Sequence, residues 1–286
     1  MSQYRIAPGI RMGPVHLIVR DMKRSLGFYR DLLGLKAESS PEGVVTLSAG
    51  EEPLVVLTER RDAPAHPARA TGLYHFAILV PSRQDLARAL KGLARAGYPV
   101  QGASDHGVSE ALYLADPEGN GIEIYRDRDR AEWPMEGDTL AMVTDPLDVR
   151  GLLSLAPDGD GAWGGLPAGT RVGHVHLHVS QIPAAEAFYH GALGFDLMQE
   201  YGPSAAFLSG GGYHHHVGVN TWAGVGAPLP PPGAIGLEAL TVIYPTPDDL
   251  ARAAARLKEA GAAAEGRADG LFVRDPSRNG ILLTIA

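Results

Sequence analysis

The sequence predicts an α+β protein built from four β-α-β-β-β modules, two in each half of the chain. Three observations predict it: a long internal repeat, strand patterns interleaved with capped helix patterns, and abundant turn residues. Residues 13–35 (GPVHLIVRDMKRSLGFYRDLLGL) and 173–195 (GHVHLHVSQIPAAEAFYHGALGF) match at a constant offset of 160, sharing Val15/Val175, His16/His176, Phe28/Phe188, Tyr29/Tyr189, Leu33/Leu193 and Gly34/Gly194. Residues 72–97 parallel 236–261, and each stretch leads to a strand and an Asp-Pro-x-x-Asn-Gly turn. Two long matches in the same order mark duplicated supersecondary units. Glycine (36) and proline (22) together make up about twenty in every hundred of the 286 residues. The usual share is roughly twelve, so short strands and many turns are expected.

Each module opens with a short strand of β-branched and apolar residues, such as Val15 to Val19. Asp21 then supplies an N-cap, and Leu26, Tyr29 and Leu33 follow at helical spacing until Gly34 stops the helix. Further strands are expected over Val44 to Leu47 and Leu54 to Leu57. Residues 1–130 read as an amino-terminal pair of modules and 171–286 as a carboxy-terminal pair. Residues 131–170, with Pro134, Pro146, Pro157 and Pro167, read as a connector carrying a short helix near Asp148 to Leu155.

Composition removes several function classes. A formal charge of −8 disfavours a phosphate backbone as partner. The absence of cysteine excludes disulfides, thiolate metal sites and cysteine nucleophiles. There is no secretory h-region and no apolar run of the roughly 18–20 residues that a membrane span needs, so the expectation is a soluble cytoplasmic protein. No glycine-rich phosphate loop or Gly-x-Ser-x-Gly elbow occurs, which disfavours nucleotide binding and serine hydrolysis.

Comparison of the halves isolates a candidate site. The turn residues Asp116/Asp275, Pro117/Pro276, Asn120/Asn279 and Gly121/Gly280 are shared, whereas Tyr113 faces Phe272, Glu123 faces Leu282 and His75 faces Ala239. With strands 111–115 and 121–125 joined by residues 116–120, Tyr113 should lie directly across from Glu123 on one face. A carboxylate on a face otherwise built for burial is costly unless a cation receives it. His16 and His75, each in the first strand of its module between apolar neighbours, would complete a two-histidine, one-carboxylate set with open positions, the arrangement of non-haem Fe(II) chemistry on dioxygen. Singly each histidine reads as a core residue; lost as a set from the other half, they read as ligands.

The stretch His106-GVSEA-Leu112-Tyr113-LA-Asp116-Pro117-E-Gly119-NGI-Glu123, within modules that cover nearly the whole chain, resembles the vicinal oxygen chelate superfamily and, within it, the type I extradiol catechol dioxygenases. Ser104 departs from that pattern two residues before the histidine. The resemblance implies two half-barrels, metal ligands at His16, His75 and Glu123, an acid–base histidine at His106, and a tyrosine at Tyr113 that hydrogen-bonds a substrate oxygen. It implies Fe(II), with Mn(II) as an alternative and Zn or Ni as the metal found on purification. It implies a catechol-like small molecule and dioxygen as partners in aromatic catabolism; the exposed edge strands of half-barrels, which often pair, add the expectation of a homo-oligomer. Many relatives of this kind carry the metal in the carboxy-terminal half, whereas these residues lie in the amino-terminal one.

The second half keeps His174, His176 and His178 at alternate strand positions and the run His214-His215-His216, read as strand. His176 and His215 are candidates for a pocket or second metal site against a structural or pH-responsive role, and His66 on the loop 62–71 is a candidate pocket residue. Arg126, Arg128 and Arg130 with Asp127 and Asp129 read as a solvated charge run. Two alternatives stand beside the dioxygenase: a glyoxalase-like lyase or isomerase, which would want a fourth protein ligand, and a non-catalytic small-molecule binder, which leaves Glu123 without a cation.

Overall fold

The computed structural model describes residues 4–137, 139–156 and 163–286; residues 138 and 157–162 of the expected connector, Pro157 among them, lie outside the described residues. The four modules are present as an α+β fold of curled half-barrel sheets. Their helices follow the local signals. Asp21 accepts from the Arg24 N–H at 2.9 Å and starts Met22–Leu26, which continues as a π-helical stretch, Gly27–Leu32. In the repeat, Ile182–Glu186 likewise continues as the π-helical Ala187–Ala192, although its N-cap, Gln181, makes no side-chain hydrogen bond. Ser82 and Thr246 cap the helices Arg83–Arg95 and Pro247–Glu259. Each cap oxygen satisfies one of the backbone donors that a helix start leaves open.

The shared turn residues have a common structural job. Asp116 accepts from the backbone N–H groups of Glu118 and Asn120, from the Asn120 amide, and from the Tyr29 hydroxyl at 2.8 Å. Asp275 repeats the pattern with Ser277, Asn279 and Tyr189. Both tyrosines are almost wholly buried. Each Asp–Tyr pair therefore ties the helix of the first module in a half to the last hairpin of the second module in that half, which explains why these residues persist in both halves. Burial raises both aspartates above the usual carboxylate range, although those hydrogen bonds oppose it.

Tertiary contacts form two compact units that differ from the halves 1–130 and 171–286. One comprises residues 19–61 with 75–172; the other comprises 1–18, 62–74 and 173–286. In the first unit, Lys36–Ser39, Val44–Ala49 and Glu52–Glu59 form an antiparallel ladder. There too Gly102–Asp105, Ser109–Ala115 and Gly121–Asp127 form a second ladder, with Gly121–Asp127 also running parallel to the end of Gly72–Leu79. The connector belongs to this unit: Asp148 caps the helix Val149–Leu153, and Asp145–Pro146 pairs with Gly102–Asp105. In the second unit, Val15–Val19 of module one pairs antiparallel with Gly236–Tyr244 of module four. Arg171–His178 runs parallel to Val217–Asn220. The first strand of module one thus pairs with the first strand of module four, where simple succession would pair it with module two.

Arg126 and Arg128 are not a solvated run. Glu110, 2% exposed, receives Arg83 and Arg126 at 2.7–3.0 Å, and Arg128 reaches it at 3.6 Å. Burial alone would push the Glu110 carboxyl up, but the hydrogen bonds from Arg83 and Arg126 outweigh it and hold it below the usual range.

Candidate metal centre

The hairpin register comes out as the alternation requires. Tyr113 is the cross-strand partner of Glu123, while Ile122 and Ile124 are fully buried. His75 Nε2 lies 3.1 Å from Glu123 Oε2, both side chains being under a tenth exposed. The Tyr113 ring stands 5.7 Å from that of His75. His106 Nε2 lies 2.6 Å from the Tyr113 hydroxyl, and His106 Nδ1 lies 2.7 Å from the Val143 carbonyl oxygen. His75, Glu123, Tyr113 and His106 are therefore one connected group.

His16, the expected third donor, is not part of the donor cluster found among the described residues. Among the described residues, the cluster whose donor atoms all lie within 4.8 Å of one another is His75, Glu123 and His174, every member buried. His16 sits opposite Ala239 on the module-four strand, with Nε2 3.2 Å from the Thr241 hydroxyl. Desolvation there lowers its pKa, against the pull of Glu238 and Asp269. The physical reason is register as well as pairing. His75 lies seven residues before Ser82, which caps its helix, and His174 lies seven before Gln181; His16 lies five before Asp21. His174 is therefore the counterpart of His75, and Pro14 takes that place in module one. Counting back from the helix caps is the signal that finds it.

The donor set fits a divalent metal. Two donors about 2.0–2.1 Å from one ion and at right angles to each other lie about 2.9 Å apart, close to the 3.1 Å between His75 and Glu123. Among the described residues, the strand position that would carry a fourth protein ligand holds a glycine. Ala77, two residues after His75, pairs with Glu123; His176, two after His174, pairs with Gly218; Thr241, two after Ala239, pairs with Leu282. The module-three counterpart of Glu123 is thus a glycine. A Cβ at Gly218 would meet His176 Cγ and Cδ2 at 2.9 Å.

The remaining histidines are distributed differently. His176 packs its ring among Tyr74, Phe207 and Trp222 at 5.2–5.6 Å and belongs to an aromatic wall. His214, His215 and His216 precede the strand Val217–Asn220 and do not form part of it; all three are buried. The His215 ring lies 4.0 Å from the His174 ring, the two planes tilted by 45°, and the Nδ1 atoms of His214 and His215 lie 2.8 Å apart. Sequence reasoning gave His215 no place beside His174, because loop facing cannot be read by alternation. His66 turns its Nε2 to the Thr71 carbonyl oxygen at 3.0 Å, a loop contact, and is outside the cluster.

With this geometry the comparisons become specific. The family model of the glyoxalase/bleomycin resistance protein/dioxygenase superfamily matches residues 11–124 and 171–283, and the chain belongs to that superfamily. Within it the chain groups with the extradiol dioxygenases: it is 44% identical over 269 residues to a catechol-2,3-dioxygenase of Bacillus subtilis strain 168, covering 93% of each chain. A biphenyl-2,3-diol 1,2-dioxygenase of Rhodococcus globerulus is 30% identical over 120 residues, covering 40% of this chain and 63% of the relative. Among solved structures, glyoxalase I from Zea mays superposes with a TM-score of 0.57 at 16% identity, covering 96% of this chain and 92% of its own. The cppA protein of Streptococcus pneumoniae TIGR4 reaches 0.59 at 13%, covering 99% and 100%. Those two likenesses show the fold alone.

Proposed function

We propose that the protein is a ring-cleaving extradiol dioxygenase that binds Fe(II) through His75, Glu123 and His174 and opens a catechol-type ring with dioxygen. The observation that supports it best is the combination of a buried three-donor set, lacking a fourth protein ligand at Gly218, with the His106–Tyr113 pair beside it. A metal held by His75, Glu123 and His174 would bring catechol and dioxygen together and acidify the substrate hydroxyl.

The chain's own residues do the rest. Tyr113, across from Glu123 and near His75, places its hydroxyl to hydrogen-bond a substrate oxygen. His106, at 2.6 Å from that hydroxyl, takes and returns a proton; imidazole exchanges protons near neutral pH. His215, its ring 4.0 Å from that of His174, is a further acid–base group on the ligand side. Catechol and dioxygen combine into a ring-opened semialdehyde that keeps both oxygen atoms. The glyoxalase-like alternative needs a fourth protein donor, and Gly218 provides none. Mn(II) fits the same donor types. A homo-oligomer in the cytoplasm completes the reading; no helix among the described residues is long and apolar enough to cross a membrane.

Anaerobic loading with Fe(II), followed by catechol and air, tests the function. Oxygen uptake with a yellow ring-opened product is expected. Tight catechol binding without oxygen consumption would overturn the enzyme reading in favour of a binding protein.

A further inference from the structure

The segment between the halves does more than join them. Val143 lies within it, and its N–H donates to the His106 carbonyl at 3.2 Å while its own carbonyl oxygen stands 2.7 Å from His106 Nδ1. Two residues on, Asp145–Pro146 adds a strand to the edge of Gly102–Asp105, with Asp145 opposite Asp105 and Pro146 opposite Ser104. Pro134, on the same segment, closes over the turn: Gly107 has φ +73°, and a Cβ there would meet the Pro134 ring at 2.8 Å. Asp105 braces the turn from inside, accepting from the Gly107 N–H at 2.9 Å and from Arg128. His106 is thus gripped on its backbone and on one ring nitrogen.

A carbonyl oxygen can only accept a hydrogen bond. The nitrogen that faces Val143 must therefore carry the proton, which leaves Nε2 of a neutral His106 as an acceptor. Its partner at 2.6 Å, the Tyr113 hydroxyl, must then donate, so the tyrosine oxygen turns its lone pairs toward whatever lies beyond. We propose that the main-chain carbonyl of Val143 locks His106 in its Nδ1–H tautomer and so fixes the direction of proton flow. A substrate O–H donates to Tyr113, Tyr113 donates to His106 Nε2, and the imidazolium that forms keeps its Nδ1–H on the connector. Only protons move: one leaves the substrate oxygen, and one arrives at Nε2. Val143 acts as a positioning residue through its backbone. This function of the clamp rests on the dioxygenase reading, whereas the tautomer itself does not.

Nitrogen-15 NMR of the imidazoles in the metal-free protein, at about pH 8.5 where histidines are neutral, tests it directly. The His106 signals are assigned by their loss in His106→Ala. The expected result is a protonated Nδ1 and a bare Nε2, unchanged in Tyr113→Phe because the carbonyl and not the phenol sets the tautomer. In Val143→Pro, which removes the N–H that holds the segment to His106, tautomer averaging is expected. After Fe(II) loading, kcat for catechol should fall at least tenfold with KM within about twofold. A bare Nδ1 in the unmodified protein, a tautomer that flips in Tyr113→Phe, or a folded Val143→Pro with unchanged spectrum and kcat would each overturn the clamp. Should Val143→Pro not fold, the first two spectra still decide. Ring cleavage with a bare Nδ1 would sink the clamp alone. A protonated Nδ1 in a protein that never consumes oxygen would keep the tautomer and sink the proton path with the dioxygenase reading.

Discussion

Replacing His174 and His16 separately by alanine distinguishes the proposed ligand from the histidine that lies outside the donor cluster. A metal that binds the folded but not the unfolded chain, held at one hundred times its Kd, adds about 2.7 kcal/mol. For a chain of this size that corresponds to an upward Tm shift of about 5 °C or more. His174→Ala removes one of three buried donors that lie within 4.8 Å of one another, so at the same metal concentration the shift should vanish. Glu123→Ala should behave alike. His16→Ala breaks one hydrogen bond, the 3.2 Å contact to Thr241, on a half-buried side chain. Its cost is about 1–2 kcal/mol with or without metal, and the metal-dependent shift should persist in full. Leu282→Ala, at the Glu123 counterpart and 5% exposed, should lose about 2–4 kcal/mol by cavity formation and also keep the shift. The assay is thermal unfolding of each variant with and without Fe(II) or Co(II) under argon. A metal shift lost in His16→Ala and kept in His174→Ala would refute the assignment.

Three further outcomes follow from other contacts. Tyr113→Phe, which keeps the ring near His75 but removes the hydroxyl facing His106, should lower kcat for catechol by about 10²-fold while leaving the metal-dependent Tm shift unchanged; steady-state kinetics beside melting curves check this. Glu110→Gln removes the buried carboxylate that receives Arg83 and Arg126 and leaves those arginines without their charge partner, so a loss of about 3 kcal/mol is expected in urea unfolding. Because the folded Glu110 pKa is depressed, its contribution is present above the unfolded carboxylate value near 4.3 and fades as pH falls through the lower folded value. His16 works in the other window. Its folded pKa lies below the unfolded value near 6.5, so the unfolded chain binds the extra proton and stability drops as pH falls from about 7 to 5. His16→Asn should flatten that part of the urea-midpoint curve, and an unchanged slope would contradict the burial argument.

What could be read from the chain follows how local the determining contacts are. The hairpin 109–127 was legible because its register is set by a five-residue loop, so Tyr113 and Glu123 had to face each other, as they do. The helix caps and the Asp116 and Asp275 turns were legible for the same reason, and the repeat exposed which residues were structural. His174 was not, because every module opens with the same apolar strand pattern and nothing in that pattern says which first strands pair. His16 lies between apolar neighbours on its strand as His75 does, and only the count to the helix cap separates them. Arg126 and Arg128 looked solvated because their acidic partner, Glu110, is reached across a ladder. His215 was obscure because it sits in a turn before its strand, where alternation has no force.

The proposed function requires one divalent ion held by His75, Glu123 and His174. Crystals grown with Co(II) or Fe(II) and measured at the metal's absorption edge should show a single anomalous peak about 2.0–2.2 Å from one nitrogen of each of those histidines and from a Glu123 oxygen. A peak on His176 with His215, or on His16, with none at Glu123 would contradict it.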